Sequence, residues 1–254
     1  ITASESLTAI LTANGSGASV SLRLQKPTSL TPFFKSKSFI SFSSIKSNSH
    51  FFHAQKHIAR HFCTFKIKIA VVLSDAVIDE IDGAPTATYF SHYRTVNAFI
   101  DRCILEAGLF LQKNGYKYIP VAASQSMPGT PFFGRFQHKT AARLSGMGTI
   151  GKNALFLHSE YGARVRLGTL LTDCPVERDR EMPESVCFGC DACKNACPSG
   201  AILGKEWHEG ITTEEMFSPA VCSEYMKAAF KHIGRGAVCG ICIKVCPALK
   251  KEEV

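Results

Sequence analysis

The sequence lacks any apolar run of about 20 residues, the length that a helix needs to cross a bilayer, so no membrane partner is expected. It also lacks acidic residues near its start, where nine Lys and Arg in residues 1–70 face Glu5 alone. Residues 71–254 hold twenty residues of each sign, so the formal net charge of +8 comes from the first segment. The balanced remainder gives no argument for a nucleic-acid partner.

Residues 1–65 form an atypical segment, rich in Ser, Thr and Lys and without clear hydrophobic periodicity. This composition is typical of an organellar transit peptide, although a first layer of the main domain is the alternative. His53, His57 and His61 recur every four residues, which would align three imidazoles on one helical face. A solvated face is the favoured interpretation, because structural zinc takes four ligands and local spacing supplies no fourth.

Cysteine is the most informative residue type, with eleven copies in 254 residues. Residues 187–198 follow C-x2-C-x2-C-x3-C-P, a pattern in which three thiolates bind one [4Fe–4S] cluster and the fourth reaches its neighbour. Residues 239–247 repeat the ending, but Gly236 stands where the repeat would begin, and Cys222 is the unassigned cysteine between the two runs.

These spacings predict two crossed ligand sets. We name them cluster I, with Cys187, Cys190, Cys193 and Cys246, and cluster II, with Cys197, Cys222, Cys239 and Cys242. Disulfides and structural zinc are the alternatives, and the crossed spacing argues against both. Cys63, Cys103 and Cys174 remain outside the clusters. Ligation requires reduced thiols, which predicts a reducing compartment such as the cytoplasm.

Upstream of the cysteines, the hydrophobic pattern predicts an α/β domain over residues 66–176, followed by a cluster domain over residues 177–254. A buried strand is predicted at 66–73 and a second strand at 116–123. Between them a long helix is predicted at 88–114, where the apolar positions, Tyr89 and Tyr93 among them, keep a three-and-four spacing, and Gly115 ends it. The order strand, helix, strand predicts a parallel βαβ unit.

A short helix is predicted at 138–144, followed by a GxGxxG pattern in residues 146–153. A dinucleotide fingerprint would follow a strand, so that interpretation is not favoured, but the glycines would let the backbone approach a large flat or phosphorylated ligand. Residues 163–173 alternate as a half-exposed strand with Arg164 and Arg166 on its open face. That face would be either solvated or an anion-binding wall.

Several stretches in one order resemble the superfamily of epoxyqueuosine reductases and reductive dehalogenases. They are HYRTVNAFID, KTAARLSGMGTIGKN, EYGARVRLGTLLTD and the two cysteine runs. The resemblance implies an α/β fold, in which a cobalamin-binding-type α/β domain precedes a ferredoxin-like domain with two [4Fe–4S] clusters. It also implies a corrinoid cofactor and a low-potential electron donor such as a ferredoxin or flavodoxin. By resemblance, the residues that line or adjoin the corrin are Gly146, Gly148, Gly151, Lys152, Tyr161, Arg164 and Arg166.

The chain departs from that family in three ways. Epoxyqueuosine reductases usually carry an acidic proton donor before the Gly-rich stretch, whereas residues 124–145 contain no Asp or Glu, so His138, Lys139 or Tyr161 would replace it or serve only in packing. Those enzymes continue into helical repeats that hold transfer RNA, which are not seen here, so transfer RNA is not expected as a partner. No Arg-Arg pair of an exported dehalogenase occurs.

The sequence therefore predicts an iron–sulfur oxidoreductase. In this hypothesis, a corrinoid-dependent reductase receives electrons through two [4Fe–4S] clusters and acts on a small molecule that the sequence does not identify. The second hypothesis is a ferredoxin-like electron carrier without substrate chemistry of its own. The third hypothesis is a transfer-RNA modifying enzyme without its usual repeats. No D-x-H-x-x-G stretch occurs, so a corrinoid should bind without a histidine beneath its metal.

Overall fold

The structure is a computed structural model that describes residues 6–14, 17–25, 40–46, 65–125, 132, 134–175, 181–236 and 238–248. For residues before 66, only the course of the backbone is described. The histidines predicted to share a helical face at positions 53, 57 and 61 lie outside the described residues, as does Cys63. Within the described ranges, no helix has the length and apolar character needed to cross a membrane.

The described chain contains eight strands and seven α-helices. The strands are β1 (Ser6–Asn14), β2 (Gly17–Gln25), β3 (Ile40–Lys46), β4 (Phe65–Val72), β5 (Tyr118–Val121), β6 (Gly148–Ile150), β7 (Phe156–His158) and β8 (Val165–Thr172). The helices are α1 (Asp75–Asp79), α2 (Ala87–Lys113), α3 (His138–Leu144), α4 (Ala192–Asn195), α5 (Thr213–Met216), α6 (Pro219–Ala229) and α7 (Ile241–Lys244). This mixture confirms the α/β class.

The main sheet has the strand order β3-β4-β8-β5, and every neighbouring pair is antiparallel. The prediction of an adjacent parallel βαβ unit is therefore wrong. β4 and β5 do run parallel to each other, but β8 lies between them and pairs with both, in the manner of a split βαβ unit. β1 and β2 form a separate hairpin, and β6 and β7 form another.

Helix α2 covers one face of the sheet, as its three-and-four apolar spacing predicts. The Thr86 side chain caps its start by accepting from the backbone N–H of Tyr89, and Gly115 follows its end with φ 86°. Ile100 and Ile104 are buried against Gly168 of β8, where any side chain would collide with them. Burying each isoleucine contributes about 2 kcal/mol.

Strand β8 is buried on both faces, so the prediction of a half-exposed strand is wrong. Its central position explains the difference. The face with Arg164, Arg166 and Gly168 is covered by α1 and α2, while Thr169 on the opposite face contacts α3. The two arginines therefore meet protein partners at the sheet rather than open solvent.

The cysteine-rich part shares the main hydrophobic core with the sheet. Val238, Ile241 and Ile243, which flank or form α7, are buried in the same cluster as Ile78 of α1 and Tyr89 of α2. Gly240, with φ 85°, lies so close to Tyr89 and Ile81 that a side chain there would collide with both. The position of the cysteines is thus fixed by the core of the sheet.

Candidate iron–sulfur and cofactor site

Four thiols converge on one cavity of about 310 Å³. Cys187, Cys190 and Cys193 come from the first cysteine run, and Cys246 comes from the end of the second, directly after α7. Much of the remaining lining is apolar. The structure thus brings the cluster I set together, and four soft sulfur ligands around a space this large fit a [4Fe–4S] cluster. Its ligation stays a prediction.

Hydrogen bonds reach two of these sulfurs from the backbone. The N–H groups of Lys152 and Ala192 donate to Sγ of Cys187 and Cys190, each at 3.4 Å. Burial, followed by the nearby Cys187 and Cys246 thiols, raises the pKa of Cys193 to about 11. Such hydrogen bonds and burial are the means by which a protein adjusts a bound cluster's reduction potential.

The cluster II set also assembles. Burial, followed by the nearby Cys239 and Cys197, raises the pKa of Cys222 on α6 to about 11. The pKa of Cys242 on α7 is raised further, by burial and then by Cys239, Cys222 and Cys197. Cys222 therefore lies within electrostatic range of the other cluster II thiols, and its ligation stays a prediction. Among the described residues, no three His, Cys, Asp or Glu side chains are grouped to hold a single metal ion.

The Gly-rich stretch serves the protein's own packing. Gly146, with φ 79°, ends α3, and the N–H groups of Gly146 and Met147 donate to the carbonyls of Arg143 and Ala142 at 2.9 and 3.2 Å. A side chain at Gly148 of β6 would collide with the Leu157 carbonyl of β7, and one at Gly151 would lie 2.8 Å from the Leu157 side chain. Packing within the protein is thus sufficient to explain these glycines, and their corrin-binding role stays a prediction.

The hairpin gives a direct test of this account. Replacing Gly148 by alanine should lower the free energy of unfolding by about 3 kcal/mol, because the clash is with backbone that cannot rotate away. Replacing Gly115 by alanine should cost only about 1 kcal/mol, since that site is open and only its positive φ is unfavourable. Thermal unfolding of the anaerobically purified variants compares the two, and an equal or smaller loss for Gly148→Ala would contradict the packing account.

The candidate proton donors lie in different surroundings. His138 Nε2 lies 3.0 Å from the Ala122 carbonyl, which can only accept, so this nitrogen carries the hydrogen, and Nδ1 accepts from the Thr169 hydroxyl at 2.6 Å. Burial, followed by the Lys68 cation, lowers the pKa of His138 to about 3. A neutral imidazole with both nitrogens engaged is a poor proton donor, so the geometry speaks against His138, whose role stays a prediction.

Tyr161 and Lys139 are the other two candidates. Tyr161 is half-buried, its ring centroid lies 5.1 Å from that of His158, and burial, then Glu160, raises its pKa. Lys139 is exposed, and its Nζ donates to the Ala154 carbonyl at 2.6 Å. Lys139 also lies within electrostatic range of Cys242 and Arg166, which makes it the candidate that faces cluster II.

Arg166 lies within electrostatic range of Lys139. Its Nε donates to Asn97 Oδ1 at 2.9 Å, and its guanidinium carbon is 5.5 Å from the ring centroid of Tyr93. Tyr89, one helical turn before Tyr93, is buried. Burial raises the pKa of Tyr89 to about 12; Arg166 opposes this rise, and the nearby Cys242 and Cys239 add to it. Arg166 and Lys139 thus form a cationic pair, burial lowers the pKa of both groups, and Lys139 lies within electrostatic range of Cys242 of cluster II.

No carboxylate of the described residues forms an ion pair with either member of this cationic pair. Sequence reasoning placed Tyr89 and Tyr93 only among the apolar positions of the long helix, and it did not find Asn97. The spacing of these three residues by four along α2 is the signal that would have shown a shared polar face.

Arg164, in contrast, is neutralised. It is buried, and its Nη1 and Nη2 lie 2.6 Å from Asp75 Oδ1 and 2.8 Å from Asp79 Oδ1. Lys244 Nζ of α7 contacts the same Asp79 oxygen at 2.8 Å. Hydrogen bonds from Arg164 and then Lys244 hold the pKa of Asp79 well below its usual range. The network joins α1 and the start of β8 to α7, the helix that contains Cys242. Arg164 therefore holds parts of the protein together instead of facing solvent.

Comparison with known proteins agrees with this architecture. Residues 186–248 match the family model of the 4Fe-4S double cluster binding domain. The epoxyqueuosine reductase of Listeria monocytogenes is 32% identical over 108 residues, which are 42% of this chain and 25% of that protein. The cysteine-rich part is therefore similar to a double [4Fe–4S] cluster domain.

Two solved structures share the fold over most of this chain. A reductive dehalogenase, described as suggesting a mechanism for B12-dependent dehalogenation, is similar with TM-score 0.66 at 16% identity, over 84% of this chain and 30% of that one. The epoxyqueuosine reductase of Bacillus subtilis is similar with TM-score 0.53 at 16% identity, over 85% and 62%. The chain is thus similar in sequence to an epoxyqueuosine reductase over 108 residues and shares its fold with both kinds of protein, and it spans about a quarter of the Listeria protein.

Proposed function

We propose that this chain is the electron-transfer and acceptor-binding part of an iron–sulfur reductase, and that the acceptor is a corrinoid. The observation that carries the proposal is the pair of Arg166 and Lys139, which lie within electrostatic range of each other without a neutralising carboxylate among the described residues, while Lys139 also lies within range of Cys242 of cluster II. The clusters, when bound, supply single electrons from an external low-potential donor.

The residues fit the clusters fully and the corrinoid in part. Gly148, Gly151, Lys152 and Arg164 are engaged by the protein itself, so they leave little for a corrin to contact. Arg166 remains, and Lys139 joins it. Together they would orient the amide and phosphate periphery of a corrinoid, while Tyr93 offers a flat apolar surface next to them. The corrinoid, when bound, supplies the bond-breaking chemistry.

A second candidate function is supported by the residues that already contact other parts of the protein. Because the Gly-rich hairpin and Arg164 are satisfied internally, the sheet could serve only to support the cluster domain. The chain would then be a two-cluster electron carrier that docks a partner protein. The substrate, the donor and the reducing compartment are proposals in either case.

Titration of the anaerobically purified, fully loaded protein with cobalamin separates the two functions. We expect a change in the corrinoid absorption spectrum and retention of the corrinoid through gel filtration. Arg166→Met should weaken binding about tenfold, because it removes one charged contact while leaving both clusters in place. Lys205→Met, at an exposed lysine, serves as the control. Full iron with no spectral change would favour the carrier.

Transfer RNA is a separate expectation. The sequence predicts no specific, tight complex, although the relatives named above are epoxyqueuosine reductases, and this conflict makes the measurement informative. Any association should depend on residues 1–70, which hold the excess positive charge, and should fall steeply with salt. A salt-resistant complex that survives removal of those residues, measured by filter binding, would restore the transfer-RNA interpretation.

A further inference from the structure

Lys152 is the only charged side chain among the described residues that line the cluster I cavity. It follows β6 directly after Gly151, and its side chain is only 9% exposed. The other lining residues are thiols, apolar side chains and Asn153. A cation in such surroundings interacts strongly with any change in charge inside the cavity, because the local dielectric is low and little water screens it.

The position of Lys152 is fixed at both ends. Its backbone N–H donates to Cys187 Sγ at 3.4 Å, while Nζ lies 3.1 Å from Asp191 Oδ1 and 3.6 Å from Glu206 Oε1. Asp191 lies within the first cysteine run, next to Cys190. The cation is therefore held against the loop that carries the cluster I cysteines, and its two acidic partners partly offset its charge.

We propose that Lys152 sets the reduction potential of cluster I, with Asp191 as the opposing charge. The inference rests on the proposed function, since it requires that the four thiols bind a cluster. Reduction adds one electron and makes the cluster more negative, so a nearby cation stabilises the reduced state and a nearby anion destabilises it. The Lys152–Asp191 pair would thus adjust how readily cluster I accepts an electron relative to cluster II.

The test is a redox titration of the full chain, loaded with both clusters and followed by electron paramagnetic resonance. Lys152→Met should lower the ratio of reduced to oxidised cluster I about tenfold at a fixed potential, which is about 59 mV for a one-electron couple. Asp191→Asn should raise that ratio, by a smaller factor of about three, because Asp191 is 49% exposed and water screens it. Cluster II should stay within about a factor of two of wild type in both variants.

Shifts of opposite sign in the reduction potential of cluster I, one in each variant, distinguish a tuning role from a structural one. Both variants break the same ion pair, so a purely structural contact would shift the potential of cluster I in one direction or cause loss of iron in both. Lys152→Arg should restore the wild-type ratio to within about a factor of two, because it keeps the charge. Lys205→Met, an exposed lysine beside Glu206, should leave both clusters unchanged.

Two outcomes overturn the inference in different ways. Wild-type iron content with an unmoved or same-direction shift in Lys152→Met and Asp191→Asn contradicts the tuning role and leaves the proposed function standing. A wild-type protein that binds no cluster at the four thiols contradicts the proposed function as well. If Lys152→Met loses iron, Asp191→Asn still decides, since an unchanged or lowered ratio in that variant overturns the proposal.

Discussion

Replacing Cys246 by alanine should remove cluster I and leave cluster II intact. Cys246 belongs by sequence to the second cysteine run, only four residues after Cys242, yet it lines the same cavity as Cys187, Cys190 and Cys193. Three thiols cannot complete a four-cysteine ligand set, so iron and acid-labile sulfide should fall to about half of the wild-type content. Spectroscopy of the anaerobically purified variant should show the signals of one cluster alone.

The controls for this experiment are the cysteines outside the two sets. Cys103 and Cys174 are buried in the main core, and Cys63 lies outside the described residues. Each should tolerate replacement by serine or alanine without loss of iron. The crossed arrangement is wrong if Cys246→Ala disturbs only the cluster that Cys239 and Cys242 hold.

Replacing Cys222 by alanine should have an equally large effect on the other cluster. Cys222 lies on α6, well before the second run, and only the fold brings it to Cys197, Cys239 and Cys242. The variant should lose about half of its iron, and the remaining signals should be those of cluster I. Val221→Ala, at the exposed neighbouring position of the same helix, is the matched control and should retain all iron.

Full iron in Cys222→Ala would show that cluster II uses a different fourth ligand. A loss of both clusters would instead mean that α6 supports the whole domain, and the Val221→Ala control would then separate loss of a ligand from loss of the helix. The prediction is confirmed only if one cluster disappears and the other keeps its spectrum.

Local signals in the sequence were sufficient for several elements of this fold. The three-and-four spacing located α2, and Gly115 marked its end because a left-handed conformation is needed there. α3 has the predicted bounds, and β4 begins and ends within one residue of the prediction. The cysteine spacing directed attention to the two thiol sets, because crossed ligation imposes a spacing that disulfides and zinc do not.

Non-local pairing accounts for what local patterns missed. Nothing in the residues from β4 to β5 indicates that β8 will be inserted between them, and this insertion turns an alternating strand into one covered on both faces. The sequence around β8 resembles that of a half-exposed strand because Arg164 stands just before the strand and Arg166 within it. Their partners, Asp75 and Asn97, lie 89 and 69 residues away, beyond the range of any periodicity.

Local sequence patterns were also insufficient to predict the candidate site. A GxGxxG pattern has the same letters whether its glycines approach a ligand or the next strand, and here Gly148 approaches Leu157 of β7. Tyr89 and Tyr93 matched the apolar pattern of a helix, so their position beside Arg166 and the cluster II thiols emerged only from the fold. The proposed acceptor site therefore depends on tertiary structure far more than the cluster sites do.

Electron transfer within one loaded protein tests the central proposal most directly. The protein is purified without oxygen, its two clusters are reduced, the excess reductant is removed, and an equimolar amount of oxidised cobalamin is added while the visible spectrum is followed. The account predicts that the corrinoid is reduced as the clusters are reoxidised, and that Arg166→Met slows this exchange about tenfold at limiting corrinoid. Clusters that stay reduced beside an unchanged corrinoid would contradict it.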